Sequence, residues 1–303
     1  MQAKDFLSVD QLAPEELIGL ITLALELKRN PRSMAHALAG RAIALVFEKP
    51  SLRTRVSFEM AAQQLGGHCL YLSPAEVGLG QRESTADIGR VLSRYVDALV
   101  ARTFFHRDVE ILAKSCPVPV INGLSDRSHP CQILADLLTI QERFGKLDGL
   151  NLAYVGDGNN VARSLMEASP LARFHLRVAS PVGYEPDLSG VAASDTFVQV
   201  VHDPFEAVAG AHVIYTDAWF SMGQEAEREA RAAVFPPYQV TAALVRHARP
   251  DAIVLHCLPA HRGEEITDEV IEGPQSAVFD QAENRLHAQK ALLIDLMAPE
   301  SVG

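Results

Sequence analysis

The clearest candidate for chemistry is the pentapeptide Ser-Leu-Arg-Thr-Arg at residues 51–55, between a predicted strand and a predicted helix. The first turn of a helix offers free backbone N–H groups and a partial positive charge, so it binds phosphate. The hydroxyls of Ser51 and Thr54 and the guanidinium of Arg53 add donors that suit phosphate oxygens. The segment predicts an anion site, although a serine cap followed by solvated arginines explains these five residues equally well.

Two further segments place cations and hydrogen-bond donors after predicted strands. Arg102 directly follows the apolar residues 98–101, and ligands of parallel sheets collect beyond the carboxyl ends of the strands. The sequence His-Pro-Cys-Gln at 129–132 begins a predicted helix with proline at its first position. His129 and Gln132 suit a carbonyl oxygen that becomes negative during acyl transfer. Taken singly, Arg102 is more readily a surface arginine, and the other two side chains could merely cap the helix.

The second half of the chain offers a carboxylate and a thiol after two more predicted strands. Asp217 begins the sequence Asp-Ala-Trp-Phe-Ser-Met-Gly at 217–223, and a carboxylate at a strand end suits an amino group. A polar loop with one core tryptophan is the simpler interpretation. Cys257 and His261 have a spacing seen in metal sites, but Pro259 interrupts the helix that such a pair needs. No second Cys or His pair accompanies them, so we predict no metal and no other cofactor.

Composition and charge exclude several classes of protein. The 303 residues are 48% hydrophobic and 21% charged, with a formal net charge of -11, which disfavours nucleic acid or an anionic membrane as a partner. The four cysteines form no Cys-x-x-Cys pair, which disfavours a zinc knuckle or a disulfide framework and favours a reducing compartment. The N-terminus has no apolar signal segment, and no run of about 18 apolar residues occurs. We therefore predict a cytoplasmic protein.

Strands alternate with helices along the chain, and several strands are apolar without alternation, which predicts parallel sheets covered on both faces. The expected strands are 41–47, 68–72, 98–101, 118–121, 151–155, 177–179, 197–201, 213–216 and 252–256, with 278–279 as a last apolar stub. The expected helices are 8–29, 51–65, 84–94, 109–114, 130–144, a helix from 160 onward, and 284–297. We predict an α/β fold of two doubly wound parallel-sheet domains with the active site in the cleft between them. The domains are 1–145 and 146–285, and 286–303 is a C-terminal helix that packs back on the first domain.

Taken together, these segments resemble the ornithine carbamoyltransferases of the aspartate/ornithine carbamoyltransferase superfamily. The resemblance runs from Phe-Glu-Lys-Pro-Ser-Leu-Arg-Thr-Arg-Val-Ser-Phe-Glu at 47–59 through 129–132 to Glu-Asn-Arg-Leu-His-Ala-Gln-Lys-Ala-Leu-Leu at 283–293. It implies transfer of the carbamoyl group of carbamoyl phosphate to the δ-amine of L-ornithine, in a homotrimer or a multiple of trimers. Aspartate-specific relatives lack the segments at 217–223 and 256–259, so these segments favour ornithine. Another amine, such as acetylornithine or putrescine, is the alternative substrate.

The resemblance also assigns residues to each substrate. It implies that carbamoyl phosphate is held by Ser51, the Leu52 backbone, Arg53, Thr54, Arg102, His129, Pro130, Cys131, Gln132, Cys257, Leu258 and Arg285. It implies that ornithine is held by Asn160, Asp217, Ser221 and Met222, and that Arg102, His129 and Cys257 act in catalysis. The family's anion loop usually has threonine where this chain has Leu52, a position served by a backbone amide. A glutamine that the family often carries is replaced by Gly78, and Gln81 is its candidate substitute.

Two interpretations from other classes compete with this one. The sequence Gly-Asp-Gly at 156–158, after a predicted strand, favours a nicotinamide-dependent oxidoreductase. That interpretation also needs an acidic residue at the end of the next strand, and no carboxylate occurs there before Glu185. A regulatory protein that keeps the fold without activity is the second competitor. The complete set of anion and amine residues disfavours it.

Overall fold

The computed structural model describes residues 1, 3–189, 196–220 and 227–302. The chain divides into two compact units. The first unit comprises residues 1–138 and 283–303, and the second comprises 139–282. The first division falls inside the helix Pro130–Phe144, whereas the sequence placed it after residue 145. Within the described part of the chain, no helix is both long and apolar enough to cross a bilayer.

The first unit is built on a four-stranded parallel sheet in the order β2-β1-β3-β4. Its strands are β1 (Ala42–Phe47), β2 (His68–Leu72), β3 (Ala98–Arg102) and β4 (Val120–Leu124). The helices of this part of the chain are α1 (Pro14–Arg29), α2 (Leu52–Gln64), α3 (Pro74–Val77), α4 (Thr85–Leu92), α5 (His106–Ser115) and α6 (Pro130–Phe144). Every residue of β3 is buried, as expected for a strand that is covered on both faces.

The second unit is built on a five-stranded parallel sheet in the order β7-β6-β5-β8-β9. Its strands are β5 (Asn151–Val155), β6 (His175–Ala179), β7 (Val198–Val201), β8 (Val213–Thr216) and β9 (Ile253–His256). Its helices are α7 (Asn160–Ala172), α8 (Pro204–Val208), α9 (Arg228–Val234), α10 (Ala242–Val245) and α11 (Asp268–Ile271). The last helix, α12 (Val278–Met297), enters the first unit at residue 283.

The predicted class of fold is confirmed, with two parallel-sheet α/β units and a final helix that belongs mostly to the first. Two expectations for single elements were wrong. Residues 278–279 are not a strand stub but the first turn of α12, because the helical pattern of 284–297 extends back to them. The first helix begins at Pro14, after a 3-10 turn at Val9–Gln11, because proline is favoured in the first turn of a helix.

Candidate active site

The candidate anion residues of the first unit gather at the carboxyl edge of its sheet. Phe47, the last residue of β1, is paired with Arg102, the last residue of β3. The backbone N–H of Glu48 donates to the Arg102 carbonyl at 2.8 Å, and that of Thr103 donates to the Leu124 carbonyl at 3.0 Å. The strand ends are therefore level, and the start of α2, the Arg102 side chain and the segment before α6 all leave the same edge.

The pentapeptide 51–55 forms the first turn of α2, as predicted. Ser51 is the N-cap: its Oγ accepts from the Thr54 N–H at 3.3 Å and donates to the Thr54 Oγ at 3.0 Å. Leu52 is exposed, so its side chain contributes little and its backbone N–H is what this position offers. Arg55 points elsewhere, because it binds Glu59 at 2.9 Å and lies over the Tyr71 ring.

A buried chain of hydrogen bonds joins α2, α6 and α12. The Arg285 guanidinium donates to the Thr54 hydroxyl at 2.8 Å and, through its other terminal nitrogen, to the side-chain oxygen of Gln132. The Gln132 side-chain nitrogen donates to the Asp136 carboxylate at 2.8 Å. All four side chains are buried within the first unit. The hydroxyl of Thr54 and the amide of Gln132 are thus held by a cation, which fixes their orientation.

His129 lies in a strongly positive environment. Burial lowers its pKa well below the ordinary value, and Arg285, Arg102 and Arg53 lower it further. The imidazole is therefore neutral at pH 7, and one of its ring nitrogens carries a proton that it can donate. Three arginines whose charges act on one neutral histidine offer the donors that an anion with an adjacent carbonyl oxygen would need.

The structure adds one cation that sequence reasoning missed and clarifies two neighbours of His129. Lys49 is buried, and burial and Arg102 both lower its pKa, so it belongs to the same positive cluster. Lys49 lies between the end of β1 and the start of α2, and this position was the signal in the sequence that could have identified it as a site residue. Pro130 is the first residue of α6, as predicted. The thiol of Cys131 is fully buried and donates to the Asn122 carbonyl at 3.4 Å, and burial raises its pKa to about 12, so the thiol itself is unreactive.

The second unit brings the predicted carboxylate and thiol together. Thr216 of β8 is paired with His256 of β9, so the residues that follow, Asp217 and Cys257, leave neighbouring strand ends. The Cys257 thiol donates to one carboxylate oxygen of Asp217 at 2.9 Å. The other oxygen accepts from the Asn159 side-chain amide at 2.8 Å. Asp217 is thus fixed from two sides and half-exposed, which suits a group that binds an amine.

Asn159 is a site residue that sequence reasoning did not single out, since it named Asn160 instead. Its side-chain oxygen caps α7 by accepting from the Val161 and Ala162 N–H groups at 2.9 and 3.2 Å, and also from the Tyr154 hydroxyl at 3.1 Å. Because three donors face this oxygen, the amide nitrogen must point at Asp217. Two consecutive asparagines, 159 and 160, stand at the predicted helix start, and asparagine is favoured as a helix cap, so the sequence did contain a signal for Asn159. Asn160 is half-buried in the first turn of the same helix.

The segment after β9 is held by buried polar groups. The N–H of Leu258 donates to the Nδ1 of His256 at 2.9 Å, and the Nε2 of that ring lies 2.9 Å from the Glu265 carboxylate. Leu258 has a φ of 57°, a left-handed conformation that is unusual for a bulky residue. The predicted residue Cys257 lies beside Asp217, and Leu258 follows it in this turn.

The remaining expectations concern loops. Ser221 and Met222, which were predicted to hold ornithine, lie outside the described residues. Gly78 ends α3 in a left-handed conformation with a φ of 50°, which explains a glycine there. Gln81, its candidate substitute, is exposed in the turn that follows.

Among the described residues of the second unit, two groups of side chains have the composition of a cation site. One comprises Asp217, His256 and Cys257, and the other His261, Glu264 and Glu265, with the ligand atoms of each group within 4.8 Å of one another. In the first group both ring nitrogens of the histidine and the thiol already have hydrogen-bond partners. That arrangement suits an amine held by a carboxylate better than a metal ion.

The glycine turn before α7 is not open to a dinucleotide. A Cβ added to Gly158 would lie 2.1 Å from the backbone nitrogen of Pro186 and 2.3 Å from the carbonyl carbon of Glu185. The backbone of 185–186 therefore fills the space that a pyrophosphate would need. Gly158 is required for this close approach of two chain segments.

Models of known protein families match both halves of the chain. Residues 4–142 match the model of the "Aspartate/ornithine carbamoyltransferase, carbamoyl-P binding domain", and 148–296 match that of the "Asp/Orn binding domain". A protein of Anoxybacillus flavithermus named "Ornithine carbamoyltransferase" is 53% identical over 98% of both chains. One of Pyrococcus furiosus named "Ornithine carbamoyltransferase, anabolic" is 51% identical over 98% of this chain and 97% of its own.

Solved structures give the same result. The ornithine carbamoyltransferase of Pyrococcus furiosus superposes with a TM-score of 0.92 at 52% identity, covering 97% of this chain and 96% of its own. That of Thermus thermophilus superposes with a TM-score of 0.90 at 49% identity, covering 98% and 100%. Two matched domain models that together span most of the sequence, and relatives with more than half of their residues identical, lead to one conclusion. The chain belongs to the aspartate/ornithine carbamoyltransferase family.

Proposed function

We propose that this protein transfers the carbamoyl group of carbamoyl phosphate to the δ-amine of L-ornithine, which yields L-citrulline and phosphate. The observation that carries this proposal is the carboxylate of Asp217, fixed by the Cys257 thiol and the Asn159 amide at the edge of the second sheet. The α-ammonium group of ornithine, which acetylornithine lacks, can form an ion pair with this carboxylate while the δ-amine stays neutral, whereas the second carboxylate of aspartate would be repelled there. Relatives named ornithine carbamoyltransferase, 51–53% identical over at least 97% of this chain, support the same choice.

The first unit is proposed to hold carbamoyl phosphate. The α2 amides, including that of Leu52, and the side chains of Ser51 and Arg53 bind the phosphate. Arg102, Thr54 and His129 donate to the carbonyl oxygen, on which negative charge develops. Gln132 and Arg285 are also proposed to bind carbamoyl phosphate, and Arg285 holds both Thr54 and Gln132 in place. Pro130 and Cys131 contribute through the backbone at the start of α6.

The second unit is proposed to hold ornithine. Asp217, Asn160, Ser221 and Met222 bind the amino acid, and Cys257 and Leu258 line the place where its δ-amine meets the carbamoyl group. The neutral δ-amine attacks the carbamoyl carbon and forms a tetrahedral intermediate. Collapse of this intermediate breaks the bond to the phosphate oxygen. The departing phosphate accepts the proton that the new ureido nitrogen loses, so the reaction needs no dedicated base.

Charge stabilisation explains why a neutral His129 suits this reaction. A cationic imidazole beside three arginines would be costly, and its pKa is indeed held well below the ordinary value by burial and by those arginines. A neutral donor keeps its hydrogen bond to the developing oxyanion over the pH range in which the amine is reactive. Losing one such donor typically costs on the order of 3 kcal/mol in the transition state.

The test is a citrulline assay on the purified protein, with Arg53→Ala as the critical variant. The parent protein should form citrulline and phosphate in equal amounts. Arg53→Ala should lose about 10- to 150-fold in kcat/KM for carbamoyl phosphate, because one charge-assisted contact to phosphate contributes about 1.5–3 kcal/mol. Arg55→Ala is the matched control, since that arginine is bound to Glu59 and Tyr71. Normal turnover in Arg53→Ala would exclude the proposed anion site.

The family resemblance also favours a homotrimer, or a multiple of trimers, in the cytoplasm. Light scattering coupled to gel filtration measures the mass directly, and a multiple of three 33.0 kDa chains is expected. A monomer or dimer would exclude the proposed assembly.

A further inference from the structure

Arg231 is an arginine buried in a helix that is otherwise exposed. It is the buried residue of α9, and its side chain is 6% exposed. Burying a guanidinium is costly unless its donors find partners. Within α9 itself no apolar residue is buried, so Arg231 secures this helix to the unit together with the buried Phe235, which follows it and packs on Tyr184 and Trp219.

The guanidinium joins two segments that are distant in sequence. One terminal nitrogen donates to the Trp219 carbonyl at 2.6 Å and forms an ion pair with the Asp157 carboxylate at 2.9 Å. Asp157 lies in the turn between β5 and α7, and Trp219 lies in the segment that follows β8. Burial raises the pKa of Asp157 to about 6, and the nearby Arg231 opposes that rise. Without this arginine, the carboxylate would have to take up a proton or move.

Further contacts fix the plane of the guanidinium. Its Nε donates to the Glu227 carboxylate at 2.9 Å within α9 and its cap. The guanidinium carbon lies 4.9 Å from the centroid of the Tyr184 ring and 5.6 Å from that of Phe235. The carbonyl of Tyr184 in turn accepts from the Gly158 N–H at 2.9 Å, next to Asp157. One planar cation therefore has partners in three segments, which the point charge of lysine cannot reproduce.

These segments carry the groups that surround Asp217. The turn with Asp157 leads directly into Asn159, whose amide donates to Asp217, and Trp219 follows Asp217 in the chain. We propose that Arg231 is a positioning residue for the amine substrate, because it fixes the Asp157 turn and the Trp219 segment, and through them the pair Asn159–Asp217. The identity of the substrate in this inference rests on the proposed function. The structural half of the inference, that Arg231 fixes the Asp157 turn and the Trp219 segment, does not.

Arg231→Lys tests the proposal while retaining the positive charge. Arg249→Lys is the matched control, since Arg249 lies in the same unit and its partner Asp251 is an exposed neighbour. Initial rates give KM for ornithine and for carbamoyl phosphate separately. Trp219 is the protein's single tryptophan, so quenching of its fluorescence by acrylamide reports on this segment without any need for activity. Circular dichroism confirms that each variant is folded.

Arg231→Lys should raise KM for ornithine at least about tenfold, which corresponds to about 1.4 kcal/mol, and leave KM for carbamoyl phosphate within about twofold. Its Trp219 fluorescence should be quenched more readily, and Arg249→Lys should match the parent in every measurement. If Arg231→Lys does not fold, Asp157→Asn, which weakens the same ion pair, should show the same split in KM to a smaller extent.

Unchanged ornithine KM in a folded Arg231→Lys variant would overturn the proposal, as would an equal rise in both KM values. A parent protein that forms no citrulline would instead refute the proposed function. In that case the fluorescence still decides the structural half: unchanged quenching in Arg231→Lys refutes it, and increased quenching upholds it.

Discussion

Replacing Asp217 by asparagine removes one negative charge and very little volume. The carboxylate now accepts from two donors, the Cys257 thiol at 2.9 Å and the Asn159 amide at 2.8 Å. The new amide has one oxygen for these two donors, so a weak hydrogen bond is lost and about 1 kcal/mol of stability with it. The larger effect is on the substrate, because a neutral amide cannot form an ion pair with an ammonium group.

The magnitude follows from the kind of bond that is lost. A hydrogen bond to a charged group contributes about 1.5–3 kcal/mol, so kcat/KM for ornithine should fall about 10- to 150-fold. KM for carbamoyl phosphate should stay within about twofold of the parental value. Asp217 follows a strand of the second sheet, whereas the arginines near His129 belong to the unit built on the first sheet.

The assay is citrulline formation with each substrate varied in turn at saturating concentrations of the other. Asp251→Asn provides the control, because that carboxylate is exposed and bound to Arg249 in the same unit. A folded Asp217→Asn variant with parental kcat/KM for ornithine would show that this carboxylate does not bind the amine.

Two further predictions concern stability. Because the pKa of His129 is lowered by burial and by its arginine neighbours, the native state resists a proton that the unfolded chain accepts below about pH 6.5. The free energy of unfolding is therefore highest above that pH and decreases as the pH falls. Between pH 7.5 and 5.5, urea unfolding should show that the parent loses up to about 1.4 kcal/mol more of this free energy than His129→Gln does. Equal losses in the two proteins would contradict the direction of the pKa shift. Gly158→Ala should destabilise by at least about 2 kcal/mol in the same assay, because the new Cβ meets the backbone of Pro186 at 2.1 Å. Gly19→Ala, in open space on the exposed side of α1, should instead be neutral or stabilise by up to about 1 kcal/mol, and similar effects of both substitutions would contradict the packing argument.

The local pattern of the sequence sufficed for the parallel sheets and for the segments that carry chemistry. Residues 98–101 are apolar throughout and 213–215 are hydrophobic, as buried parallel strands require, and the charged residue after each predicted strand was predicted from the rule that ligands gather at strand ends. Residues 278–279 show the limit of this approach. Two apolar residues fit a short strand as well as a helix turn, and only the helix that follows decides between them.

The hydrogen bonds between distant side chains could not be predicted in this way. Arg285 and Thr54 are 231 residues apart, and no periodicity relates them. The choice between Asn159 and Asn160 as the partner of Asp217 depends on which amide caps α7. Arg231 was not singled out from the sequence, because its burial results from three segments that fold around it. Such contacts depend on tertiary structure, which a single sequence does not display.

The central claim is that a cationic cluster holds carbamoyl phosphate and that the Asp217 carboxylate selects ornithine as its acceptor. The most direct measurement offers the purified enzyme carbamoyl phosphate together with equal concentrations of ornithine, acetylornithine, putrescine and aspartate, and identifies the products by mass spectrometry. Citrulline should account for nearly all of the carbamoylated product. A predominance of carbamoyl-aspartate, carbamoyl-putrescine or acetylcitrulline would contradict the proposed role of that carboxylate.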